Sequence, residues 1–273
     1  MPDKLSDKVY DLCTKTPSIS DELARDPKLS PKDAIDRLFG GEKTRILERK
    51  PPKERVPATE EDLERARQCG RFGDSKPSEL FLRILHDALC TLDHDSLMGC
   101  VSPALMGSTG VLPLTVIGPL ADVARHMSNL IARAEKEVLL ATNYWMDSDA
   151  SKLITNGLRE LSIRAGERGE KAVVKIIYDR GNIKQVVDQH HIDSVAEYIG
   201  ENIKIPGPEE IPNIDIQVQN YHRPALGTFH AKYVVVDRKI GLVMSNNIQD
   251  NDNLEMMSHV EGSIVDAFYD TFL

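Results

Sequence analysis

At 273 residues, with 41% hydrophobic and 5% aromatic content, the chain is long enough to bury one full core and carry an extension. Its 34 Lys and Arg against 43 Asp and Glu leave a formal net charge of -9, which repels polyanions at long range and disfavours a dedicated nuclease. No run approaches the ~18 apolar residues needed to cross a bilayer, and Met1-Pro-Asp-Lys-Leu-Ser-Asp-Lys8 lacks a charged-then-apolar signal. The expectation is a cytoplasmic protein whose contact with membranes is at most peripheral.

Residues 1–75 are polar, with Pro51-Pro52, Lys50, Lys53, Arg55 and an acidic Glu60-Glu61-Asp62 cluster, and read as a flexible or loosely helical extension. Residues 76–110 read as a helical linker. Pro77 and Glu79 open an amphipathic helix with Leu80, Phe81, Ile84, Leu85, Ala88 and Leu89 assigned to one face. Gly107-Ser-Thr-Gly110 lacks the lysine of a P-loop and reads as a turn. Cys13, Cys69, Cys90 and Cys100 show no CxxC or zinc spacing, as expected of intracellular thiols. Asp93-His94-Asp95 and His190-His191 are metal-ligating types in polar surroundings. Adjacent residues on a helix point apart, so both read as solvated surface.

From about residue 111 the pattern turns α/β. A helix over 120–134 leads to a buried strand at 138–142, then come a helix over 151–165, a strand at 172–178, a helix over 183–199 and a strand at 214–218. Strands without polar alternation, separated by helices, predict a mixed sheet flanked by helices. A hairpin follows, with strands at 229–237 and 240–246 joined by Arg238-Lys239. That two-residue turn sets Ser245 opposite Lys232 and Asn247 opposite His230, so that four polar groups share one face. A register shift of one residue would break the arrangement. Strict alternation puts Asp237 on the other face from His230, which favours a supporting role for it.

His230-x-Lys232-x4-Asp237, followed by Ser245-x-Asn247, resembles the signature of the phospholipase D superfamily, HxKxxxxD and then GSxN, with Met244 where the family has glycine. Asn253-Leu-Glu255 and His259-Val-Glu-Gly262 resemble the elements that follow it. The resemblance implies one half domain of that fold over 111–273, similar to the N-terminal half of a two-motif phospholipase D-like or cardiolipin-synthase-like protein. It also implies a phosphodiesterase or phosphatidyltransferase acting on glycerophospholipids, with nucleic acid the less favoured substrate and no cofactor or metal required.

The residue types fit such chemistry. An imidazole at His230 can attack phosphorus and leave again, splitting one displacement into two through a phosphohistidine. Lys232 would neutralise the non-bridging oxygens, and Ser245 and Asn247 would hydrogen-bond them. By resemblance the catalytic set is His230, Lys232, Asp237 and Glu255, with Glu255 on the far nitrogen of His230. Arg180, after a strand end, is a further candidate for the phosphate. Asn143-Tyr144-Trp145 and Asp179 also follow strand ends, and the aromatics read as packing.

A second imidazole must protonate the leaving oxygen. The remaining histidines, His86, His94, His126, His190, His191, His222 and His259, lack a lysine two residues on. The chain is therefore expected to be half a site, completed by a missing C-terminal half or by a symmetric homodimer; the missing second motif and Met244 also keep open a non-catalytic half domain that binds partners or lipid. The apolar set Ile264, Val265, Phe268, Tyr269 and Phe272, expected to need covering, places truncation first. Met244, with a side chain where close backbone approach is expected, is predicted to crowd the phosphate pocket.

Overall fold

Five Ser and Thr residues punctuate the polar N-terminal third, and each starts a helix. Ser6, Ser18, Ser30, Thr59 and Ser78 cap α1 (Asp7–Thr14), α2 (Ile19–Arg25), α3 (Pro31–Phe39), α4 (Glu60–Gln68) and α5 (Glu79–Cys90). In every case the side-chain oxygen accepts the backbone N–H three residues on, satisfying a donor that the first helical turn leaves orphaned. At Ser18 and Thr59 an Asp three residues on reaches back to complete a capping box.

The computed structural model describes residues 4–40, 57–179, 188–222 and 227–273. It divides into two compact units, Met1–Gly110 with Asp266–Leu273, and Val111–Val265. The first unit has its own apolar core, in which Leu5, Val9 and Cys13 meet Leu63, Ala66, Phe72, Leu82, Leu85, Leu89 and Leu92. Residues expected to be a loose extension are therefore partly core. Their few apolar side chains sit at helical spacing and are gathered by the caps.

The face of α5 differs from the expected one. Leu82, Leu85, His86 and Leu89 are buried, while Leu80 and Ile84 are 69% and 60% exposed. Both stripes have helical spacing, and the one carrying Leu82 wins the core. Gly107 takes φ +73 beside Gly70, and its carbonyl accepts the Arg71 N–H, which makes the Gly107–Gly110 segment a packed turn. Asp270 accepts the backbone N–H groups of Ser20 and Ser102 at 3.0 and 2.8 Å.

The second unit is α/β, an eight-stranded mixed sheet flanked by helices. Its strands are β1 (Val111–Pro119), β2 (Glu137–Ala141), β3 (Ala172–Tyr178), β4 (His190–Ile192), β5 (Ile214–Tyr221), β6 (Tyr233–Val236), β7 (Ile240–Met244) and β8 (Leu254–Glu261). Their order is β1-β8-β7-β6-β2-β3-β5-β4. Only the β2–β3 and β3–β5 pairs are parallel; the other five are antiparallel. The helices are α6 (Leu120–Ala132), α7 (Asp149–Arg168) and the single turn α8 (Val195–Tyr198). Val138, Leu140, Val174, Ile176 and Val234 share one core with Val123, Met127 and Ile131 of α6 and Ile154, Leu158 and Leu161 of α7. Gly157 allows α7 to approach α6, since a Cβ there would stand 2.8 Å from the Ser128 carbonyl oxygen.

Two sequence readings are overturned. Of the helix expected over 183–199, residues 183–187 lie outside the described residues; among the rest, His190–Ile192 forms an edge strand and only Val195–Tyr198 is helical. The pairing of β4 with β5 overrides local helix propensity there. In α9 (Ile264–Phe272), Val265, Tyr269 and Phe272 are buried and Ile264 and Phe268 half-buried, so most of the apolar set expected to lack cover is covered.

Candidate active site

The parallel strands β2, β3 and β5 end at Ala141, Tyr178 and Tyr221, and β6, antiparallel to β2, begins at Tyr233 opposite Ala141. The segments before β6 and after β3, β5 and β7 consequently emerge at one edge of the sheet. In open α/β sheets that edge collects ligands, because loops leave it in different directions and expose backbone and side-chain donors.

His230 and Lys232 lie on this edge just before β6. His230 is exposed, and Lys232 Nζ stands 3.4 Å from both of its ring nitrogens and 3.3 Å from its carbonyl oxygen. Burial holds the Lys232 ammonium below the usual lysine range, partly opposed by the negative charge of Glu255. A half-buried cation against an accessible imidazole is an arrangement suited to an anion that sits beside the pair and meets both groups.

The hairpin register is one residue away from the expected one. Val236 pairs with Ile240 and Tyr233 with Val243, so the Met244 N–H, and not Ser245, meets Lys232 across the strands. The cause is the turn. Asp237 and Arg238 both take φ +52, and the Lys239 N–H reaches the Val236 carbonyl, which centres the turn on Asp237-Arg238 and not on Arg238-Lys239. Asp is among the few side chains that tolerate the left-handed region. His230, Lys232 and Ser245 all fall outside the regular strands, so the cross-strand rule does not decide which face they share.

Asp237, grouped by resemblance with the catalytic residues, is placed elsewhere. Its carboxylate accepts the backbone N–H groups of Glu135, Lys136 and Glu137 at 2.7–2.9 Å. It stands at the end of β6 away from His230, roughly 20 Å along a strand at about 3.3 Å per residue. Its role is to bind the start of β2 to the hairpin.

Ser245 donates its hydroxyl to the buried Glu255 and accepts the Met256 N–H at 2.9 Å. Asn251 Nδ2 donates to the other oxygen of Glu255 at 3.1 Å. Glu255 thus orients Ser245, a different partner from the His230 nitrogen that the resemblance implied. Asn247 is half-buried, and its Oδ1 and that of Asn246 are enclosed without a hydrogen-bond partner. Met244 is 8% exposed and belongs to the apolar core. Its side chain is packed with the core, which gives it a structural role of its own. Arg180 lies outside the described residues.

A pair of groups that the sequence reading did not connect stands on the same edge. His222, the first residue after β5, has Nδ1 2.8 Å from Asp179 Oδ1, and the other Asp179 oxygen accepts the Phe229 N–H at 2.9 Å. In the sequence Asp179 is marked only by the strand end it follows, and His222, with no lysine two residues on, carries no motif. Trp145 is fully buried and donates Nε1–H to the Ile203 carbonyl, as packing requires. His191, read as solvated surface, is partly buried, and it brings a donor atom within 4.8 Å of those of Asp193 and Glu197. Asp188 and then Glu197 hold its imidazolium above the usual histidine range, against burial.

No family model matches the chain. No curated protein matches it either. Among solved structures, NucT from Helicobacter pylori is similar with a TM-score of 0.36 and 19% identity, over 58% of this chain and 91% of NucT. Nuc from Salmonella typhimurium, a phospholipase D family member, gives a TM-score of 0.36 and 14% identity over the same shares. TrmBL2, an archaeal chromatin protein described with a novel mode of DNA binding, gives a TM-score of 0.33 and 14% identity, over 71% of this chain and 62% of that one.

Proposed function

We propose that the chain is a phospholipase D-like phosphodiesterase or phosphatidyltransferase acting on glycerophospholipids, with His230 as nucleophile. The observation that carries this reading is the apposition of an exposed imidazole and a half-buried lysine at 3.4 Å, on the sheet edge that also presents Ser245 and Asn247. A His230 nitrogen attacks phosphorus, the P–O bond to the leaving alcohol breaks, and a phosphohistidine remains until water or another alcohol resolves it. Lys232 neutralises the non-bridging oxygens. Asn247 through its Nδ2 amide, and Ser245 once its hydroxyl proton turns from Glu255 to the substrate, donate to the oxygens on which charge gathers in the transition state. The net charge of -9 favours a lipid headgroup over a polynucleotide.

The test is to incubate the chain with vesicles carrying a phospholipid labelled at phosphorus, and separately with a labelled oligonucleotide. An acid-labile label on the protein, formed from the lipid and absent from His230→Ala, is the expected result. A label that survives the substitution refutes the nucleophile. A label formed only from the oligonucleotide refutes the substrate class.

A further inference from the structure

Resting on the reading of His230 as nucleophile, we infer that His222, oriented by Asp179, is the general acid and base that works opposite it, so that one chain holds both imidazoles of the reaction. The buried Asp179 carboxylate bridges the two segments that would carry them. One oxygen accepts His222 Nδ1–H at 2.8 Å, and the other accepts the N–H of Phe229, the residue before His230, at 2.9 Å. Two hydrogen bonds of about 2.9 Å on one carboxylate keep His222 Nδ1 and the Phe229 nitrogen within roughly 8 Å. The Tyr221 and Phe229 rings meet edge to face with centroids 5.8 Å apart, and the His222 N–H is pinned to the Gln189 carbonyl at 3.1 Å.

The chemistry selects this histidine from among the others. A carboxylate on Nδ1 fixes the tautomer and leaves Nε2 to face substrate, and His222 keeps 29% of its side chain exposed while Asp179 keeps 4%. In-line displacement needs an attacking nitrogen about 3–3.5 Å from phosphorus and a proton donor about 2.6–3.2 Å from the leaving oxygen on the other side. Two histidines on separate segments that one carboxylate joins, with His222 Nδ1 tied to the residue before His230, suit that need better than two rings in contact. Elsewhere, His126 and His259 face each other at 3.2 Å from α6 and β8, and His191 is surrounded by carboxylates.

The steps balance. His230 forms the P–N bond as the P–O bond breaks, and the leaving oxygen keeps the electron pair and takes the proton from His222 Nε2. Neutral His222 then removes a proton from water, whose oxygen attacks phosphorus, and the P–N electron pair returns to His230.

Bis(p-nitrophenyl) phosphate tests this, because nitrophenolate leaves without a proton and only the second step then needs His222. The wild-type chain should turn over repeatedly. His222→Gln should release about one nitrophenolate per chain and then slow by about 10²–10⁴-fold, as loss of an acid–base group does, with added imidazole restoring turnover. A His222→Gln chain that turns over at the wild-type rate, or that loses burst and turnover together with no rescue by imidazole, overturns the inference. So does a wild-type chain that stops after one burst or releases nothing. A burst that persists in His230→Ala instead overturns the functional reading beneath it. A burst lost in His230→Ala, alongside a His222→Gln chain that behaves as wild type, removes the inference alone.

Discussion

The carboxylate of Asp237 closes on the backbone of Glu137, accepting its N–H at 2.9 Å while the Asp237 N–H returns to the Glu137 carbonyl at 3.0 Å. Together with the N–H groups of Glu135 and Lys136, this ties the turn of the β6–β7 hairpin to the first residues of β2. The last letter of the HxKxxxxD pattern is therefore a hinge pin for the strand whose other end presents His230.

Asp237→Ala should accordingly destabilise the second unit and leave the chemistry intact. It removes an acceptor shared by three N–H groups and puts a β-carbon without compensating hydrogen bonds at φ +52. With hydrogen bonds to charged groups contributing about 1.5–3 kcal/mol each and solvent competing at this half-exposed site, a loss of about 2–4 kcal/mol is expected. Asp237→Asn, which tolerates the left-handed region, should lose less. Urea unfolding measures the loss, and turnover per folded chain should match wild type. A collapse of turnover in a fully folded Asp237→Asn chain would return this residue to the chemistry.

Met244→Gly should weaken the protein and fail to improve its activity. The side chain is buried among Leu242, Ile248 and Met257 in the sheet's core. Truncating a buried methionine costs about 2–5 kcal/mol, and glycine in a strand adds up to about 1 kcal/mol in backbone entropy. Met244→Leu, of similar volume, should cost under about 1.5 kcal/mol. Thermal or urea midpoints for the two variants decide the matter. A glycine variant as stable as wild type and more active would show that the side chain reaches the phosphate pocket after all.

How far these residues could be read from the sequence depended on whether local rules governed them. The run 172–178 is a strand at those bounds, and the helices over 120–134 and 151–165 appear as α6 and α7, because apolar periodicity was strong and the core enforced it. The β1 and β8 strands were not foreseen. The β1 run Val111-Leu-Pro-Leu-Thr-Val-Ile117 is apolar, but Pro113 within it argues against a strand by local rules, and the strand sits at the edge of the sheet with Val111, Leu112 and Ile117 more than 60% accessible. The hairpin was foreseen but its register was not, because a one-residue change in where Asp237 turns moves every cross-strand partner. Unit one was legible in Ser18-x-x-Asp21 and Thr59-x-x-Asp62, capping-box signals outweighed by the polar composition around them. The Asp179–His222 contact joins two strand ends 43 positions apart, and no spacing rule in the chain announces it.

The pH dependence of turnover should report Lys232. The protonated amine is the form that neutralises the phosphate, and burial lowers its affinity for the proton, so the alkaline limb of kcat/KM is expected below the range of an ordinary lysine. The sign follows from which form acts: activity is full while the amine is charged and falls as pH rises through its depressed pKa. Glu255 raises that pKa by its charge, so Glu255→Gln should move the limb still lower, besides loosening Ser245. Lys232→Arg, with a guanidinium that does not titrate in this range, should abolish the limb and lower turnover, since a planar fork replaces a compact ammonium. Lys232→Ala should lower kcat/KM by about 10²–10³-fold, the scale of one transition-state electrostatic contact. The profiles are read with bis(p-nitrophenyl) phosphate. A limb that stays in place in Lys232→Arg would assign it to another group and remove Lys232 from the phosphate.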